Sequence, residues 1–144
     1  MDPKELAFTA AHIIDDKKGE DIVVADVSKV ADITDFFVIA TASNNRQVDS
    51  LIDFVEEGLK PLGADPLQIE GREECSWALI DYGPVMVHIF QPAARSFYRL
   101  DKLWGDATFY DMVDGELVER EGHRVEESEP SRVATPSPYE DEGR

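Results

Sequence analysis

The residues DIVVADV, positions 21–27, constrain the fold more than any other stretch, because their apolar members are consecutive rather than alternating. A strand with one wet face alternates apolar and polar residues. A near-continuous β-branched run belongs instead to a strand covered on both faces. Such a strand needs packing layers, and the sequence before it, MDPKELAFTAAHIIDDKKG, supplies an amphipathic helix. Asp2 is placed to cap it, Pro3 stands at the first helical position, and Glu5 follows three residues after the cap. Leu6, Ala10, Ile13 and Ile14 fall on one face. Lys17 and Lys18 suit the last turn, and Gly19 suits the stop.

The pattern then repeats with variation. SKVADITD is a polar connection, and FFVIAT, Phe36–Thr41, is a second strand. In SNNRQVDSLIDFVEEGLKPLG, Ser43 or Asn44 caps a helix whose Val48, Leu51, Ile52, Val55, Leu59 and Leu62 recur at three and four residues. Pro61 and Gly63 end it. DPLQIEG, SWALIDY and PVMVHIF read as three further strands. Tyr82-Gly83-Pro84 makes a tight turn between the last two, which predicts an antiparallel hairpin. Pro92 opens a helix, PAARSFYRLDKLW, closed by Gly105, with Phe97, Leu100 and Trp104 on one face. Helix, two strands, helix, three strands and helix predict the α/β class, a mixed five-stranded sheet flanked by helices.

Residues 1–107 are expected to form that domain and residues 108–144 an acidic, largely disordered tail. From Asp106 onward there are twelve acidic residues, four basic ones and three prolines, a net charge of −8. FYDMVDGELVE is open to a hairpin or strand pair, whereas ESEPSRVATPSPYEDEGR carries too few apolar residues to pack.

Charge narrows the function classes. The whole chain has thirty-one acidic and fourteen basic residues, a net charge of −17. Nucleic-acid binders need a basic footprint that releases counterions, so direct DNA binding is not expected and RNA contact should be slight. The field favours a basic protein partner. A single cysteine, Cys75, forms no internal disulfide and fits a reducing compartment. The N-terminal stretch does not read as a signal peptide, and no apolar run has the length of a membrane span. The expected location is the cytoplasm.

The search for chemistry gives little. His12, His88 and His123 make no pair at metal-ligand spacing, and Cys75 supplies no thiolate cluster. His88 shares its strand face with Met86 and Phe90, and without an acid or nucleophile beside it the structural or contact reading is favoured. Two-metal phosphoryl transfer wants paired carboxylates at alternate strand positions, whereas Asp26 and Asp81 each stand alone at strand ends. There is neither a phosphate-binding P-loop nor a dinucleotide-binding glycine motif. TASNNRQ at a helix start reads as an ordinary cap rather than an anion site. Ser43, Ser76 and Ser96 lack the setting of a nucleophile. No catalytic residue, metal or cofactor is expected. Composition alone makes Trp77 a core residue, and Tyr98 an exposed contact.

Three segments, DVSKVADITDFFVIATASNNRQV, IEGREECSWALIDYGPVMVHIF and RSFYRLDKLWGDA, together resemble the ribosomal silencing factor family, also called Iojap-like or RsfS. The likeness runs in order from about residue 5 to 107. It rests on the combination of ITDFFVIA, RQV, the Trp77-to-Gly83 motif WALIDYG, VHIF and FYRLDKLW. Two positions depart from the pattern. Ser76 stands where glycine is usual, and Pro84 where an acidic residue is common.

The resemblance implies a fold related to nucleotidyltransferases but without their catalytic carboxylates. It also implies a partner, the basic large-subunit ribosomal protein fourteen, on which such a factor sits and sterically blocks joining of the small and large subunits under nutrient limitation. Carried over by motif, the contact surface comprises Trp77, Leu79, Asp81 and Tyr82, then His88, Tyr98, Leu100 and Lys102. The resemblance thus moves Trp77 from core to contact. The factor is expected to act as a monomer on the ribosome, with a homodimer open to the free chain. The rival reading is an acidic adaptor module that binds another basic protein.

Overall fold

A computed structural model describes residues 2–97 and 106–120, except for the side chains of Ser96 and Phe97. The first helix, α1 (Pro3–Asp16), begins where the sequence places it: the Asp2 carboxylate accepts the Glu5 backbone N–H at 3.1 Å. Leu6, Ala7, Ala10, Ala11 and Ile14 are its buried face. The second, α2 (Asn45–Leu59), is capped by Asn44, whose Oδ1 accepts the Gln47 N–H at 2.8 Å. Its buried residues are Val48, Leu51, Ile52, Val55 and Leu59, one stripe at helical spacing. A 3-10 turn at Lys60–Leu62 then ends on Gly63, whose φ of 86° suits glycine.

The strands are β1 (Glu20–Asp26), β2 (Phe36–Thr41), β3 (Gln68–Glu70), β4 (Trp77–Asp81), β5 (Val85–Phe90), β6 (Thr108–Val113) and β7 (Glu116–Glu119). They lie in the order β3-β4-β5-β2-β1-β6-β7. Among the described residues only β2 and β5 run parallel, and every other neighbouring pair is antiparallel. The expected mixed sheet is present, as is the β4–β5 hairpin. The strand count differs: among the described residues the sheet has seven strands, not five.

The two additional strands come from residues 108–119. Asp114 and Gly115 both take positive φ, 51° and 83°, the backbone that a two-residue hairpin turn requires. Pairing of β6 along β1, from Val23 with Asp111 to Asp26 with Thr108, then adds the hairpin to the sheet. Phe109 is inserted into the core.

Both faces of the central strands are covered, as the run in β1 requires. On one face α1 and α2 pack against Val24, Val38, Ala78, Ile80, Val85, Val87 and Ile89. The other face carries Val23, Ala25, Phe37, Ile39, Leu79, Met86, Phe90 and Phe109, with Ala94 of the third helix, α3 (Pro92–Phe97), packed against it. Residues 98–105, which follow α3 in the sequence, lie outside the described residues. So do residues 121–144. Among the described residues no helix is long and apolar enough to cross a membrane.

Candidate functional site

The β4–β5 pairing sets the geometry. Trp77 faces Phe90, Leu79 faces His88, and Asp81 faces Met86. Side chains alternate along a strand, so Trp77 and Leu79 share the face that Met86, His88 and Phe90 occupy on β5. Trp77 is half-buried at the start of β4, while Leu79 is only 5% exposed. The indole stacks tilted on Phe90, with ring centroids 4.8 Å apart and planes at 31°. Its Nε1–H donates to His88 Nδ1 at 3.0 Å.

His88 is 0% exposed. Phe37 meets its ring edge-on at 5.1 Å, and Phe90 and Trp77 complete an aromatic enclosure. Burial strongly disfavours the imidazolium and lowers the His88 pKa to about 3. Since Nδ1 accepts a hydrogen bond, the neutral ring carries its proton on Nε2, an atom with no hydrogen-bond partner among the described residues. The folded state thus binds this proton less readily than the unfolded chain, so His88's share of stability is present above about pH 6.5. It is lost as pH falls toward 3, at up to about 1.4 kcal/mol per pH unit. Urea midpoints measured from pH 7 to 5 should therefore decline for the wild type and decline less for His88→Phe.

The residues before Trp77 fix where β4 begins. Gly71 and Cys75 both take positive φ, 77° and 64°, and the Cys75 N–H closes this turn on the Gly71 carbonyl at 2.9 Å. A Cβ on Gly71 would overlap the Trp77 carbonyl oxygen. Arg72 ties the turn to α2, donating from Nε to Asp49 at 2.8 Å and from Nη2 to Asp53 at 2.6 Å. Those carboxylates hold its guanidinium charged. From the other side, the Gln91 side chain donates to the Cys75 carbonyl at 3.0 Å, and its backbone N–H to the Ser76 carbonyl at 3.0 Å. Gly71, Arg72 and Gln91 are supporting residues that the sequence reading missed.

The expected contact residues therefore separate. Trp77 and Leu79 share a face and are brought together. Asp81 is half-buried and closes the hairpin turn, its Oδ1 accepting the Gly83 N–H at 2.8 Å. Tyr82 does not join them. It is 7% exposed and packs into the cluster on the opposite face, beneath α2, where burial first, then Glu56 and Asp65, push its hydroxyl up to about 12. His88 lies on the Trp77 face but is enclosed, so its ring reaches outward only through the indole. The expected contacts Tyr98, Leu100 and Lys102 lie outside the described residues.

Elsewhere, a cavity of about 340 Å³ between α1, β1 and β6 is lined by Asp15, Asp21, Arg95, Asp111 and Arg120 among others. Arg120 forms a bidentate pair with Asp111, and Arg95 donates to Thr41 Oγ1 at 2.8 Å. Among the described residues no three His, Cys, Asp or Glu side chains come together to hold a metal.

The chain is similar to known proteins in both sequence and fold. The family model described as "Ribosomal silencing factor during starvation" matches residues 1–141. The Bacillus subtilis ribosomal silencing factor RsfS is 35% identical over 115 residues, covering 80% of this chain and 98% of the relative. A crystal structure of a Chromobacterium violaceum protein superposes with a TM-score of 0.70 at 38% identity, covering 73% of this chain and 88% of that one. The mouse protein named "Mitochondrial assembly of ribosomal large subunit protein 1" is 30% identical over 100 residues, 67% of this chain and 44% of the relative.

Proposed function

Because the chain belongs to the ribosomal silencing factor family, we propose that it docks on the large ribosomal subunit through the start of β4 and thereby blocks joining of the small subunit. The observation that carries the docking reading is Trp77, a large aromatic left only partly buried yet held by a hydrogen bond and a tilted ring contact. Aromatic anchors of this kind dominate the energetics of protein interfaces. The net charge of −17 directs the surface toward a basic protein rather than the phosphate backbone. Large-subunit protein fourteen, the partner implied by the family likeness, has that chemistry. The fold is read as nucleotidyltransferase-related, with repression of translation by occlusion in place of catalysis. The factor acts as a monomer on the ribosome, in the cytoplasm.

Occlusion needs no covalent step. A factor present at 100 times its dissociation constant imposes about 2.7 kcal/mol against an exclusive competitor. A photoreactive residue placed at the exposed Ser76 should cross-link to protein fourteen when the factor is added to large subunits. Cross-links that fall on ribosomal RNA or on another protein would contradict that partner.

A further inference from the structure

A fully enclosed histidine in an aromatic and aliphatic setting is a poor choice unless its polarity has a use. The His88 Nε2–H is buried without a hydrogen-bond partner among the described residues, and an unsatisfied buried donor destabilises a fold. Phenylalanine would fill this space among Phe37, Leu79 and Phe90 without an orphaned proton. What histidine adds is the Nδ1 acceptor for the Trp77 indole. The indole is only partly buried, and an N–H edge turned to solvent would be served by water about equally well. The bond instead selects one orientation. Phe90 restricts the plane of the indole by stacking, and His88 fixes the direction in which its N–H edge points.

We propose that His88 is a positioning residue for docking: it locks the Trp77 indole in its binding orientation and touches no partner itself. This rests on the docking reading above. An anchor ordered before the encounter does not lose its side-chain freedom on binding, so the gain appears in affinity rather than in the stability of the free protein.

Two substitutions at His88 separate positioning from packing. His88→Phe keeps the ring volume and removes both the acceptor and the orphaned donor. His88→Asn keeps an acceptor, because Asn Oδ1 occupies the place of Nδ1, but leaves a void. His88→Phe should melt within a few degrees of wild type or above it, bind cognate large subunits about tenfold more weakly, and move the Trp77 indole ¹H–¹⁵N resonance. His88→Asn should melt about 5–10 °C lower yet bind within about threefold of wild type.

A role in packing alone predicts the reverse order, with docking tracking stability. Undiminished docking by His88→Phe, an unmoved indole resonance in that variant, or weaker docking by His88→Asn than by His88→Phe would each overturn the proposal. If wild type itself fails to bind large subunits, the docking reading falls, and this inference with it. Wild-type binding matched by His88→Phe removes this inference alone.

Discussion

Trp77→Ala is expected to weaken binding to large subunits by at least about thirtyfold, the loss of about 2 kcal/mol or more that a central aromatic anchor carries. The substitution removes the group that both faces outward and is ordered in advance by Phe90 and His88. It also strips His88 Nδ1 of its donor, but the opened site is half-exposed, so water can replace the indole N–H. The chain should therefore remain folded, since Trp77 is a partly buried residue packed against one cluster and not a member of either buried core. Equilibrium binding by sedimentation, with circular dichroism on the same samples, separates lost docking from lost fold. Wild-type binding should itself weaken as salt rises, because the partners carry opposite charge.

Gly71→Ala is expected to have the largest effect on stability of any substitution outside the core, about 3 kcal/mol or more. Two penalties combine there. Gly71 holds a φ of 77°, which an L side chain rarely adopts, and the new Cβ would overlap the backbone oxygen of Trp77. The obstacle is main chain and has no rotamer in which to escape. To relieve it, the start of β4 must move away from Gly71, against the Gln91 hydrogen bonds that hold Cys75 and Ser76. Urea unfolding measures the stability loss. Docking should fall as well, because the displaced segment carries Trp77, and that link distinguishes Gly71 from an ordinary core glycine.

The elements with local signals were legible in the sequence. Asp2 caps α1 as expected and Asn44, one of the two candidates, caps α2. Of the expected stripe Val48, Leu51, Ile52, Val55 and Leu59 are buried, whereas Leu62 lies past the helix end and is exposed. The tight turn after Tyr82 forms the predicted hairpin, which puts His88 on one face with Met86 and Phe90. Strand alternation also carries the side of the sheet on which Tyr82 packs. Residues 77, 79 and 81 have one parity and residue 82 the other, but the family motif grouped Asp81 with Tyr82 as neighbours along the chain.

What was not legible depends on distant partners. FYDMVDGELVE allows a strand pair on its own pattern but not its place in the sheet, because β6 is held by β1, more than eighty positions earlier in the sequence. Arg72 looked like one charge in a polar loop, and only the fold brings it to Asp49 and Asp53. Those two aspartates are four residues apart, on one side of a helix, which was the available hint. The enclosure of His88 was equally hidden, because Phe37, the ring that meets it edge-on, comes from a strand whose parallel pairing with β5 no local pattern specifies.

Docking at the Trp77 face is expected to prevent subunit joining. The most direct test mixes purified small and large subunits at a magnesium concentration that favours joining, with wild type or Trp77→Ala added first, and separates the products on a sucrose gradient. Wild type should hold the subunits apart in proportion to its occupancy of the large subunit, and Trp77→Ala should leave joining as it is without the factor. Joined ribosomes at full yield with wild-type protein bound would contradict the account and leave an adaptor that binds without silencing.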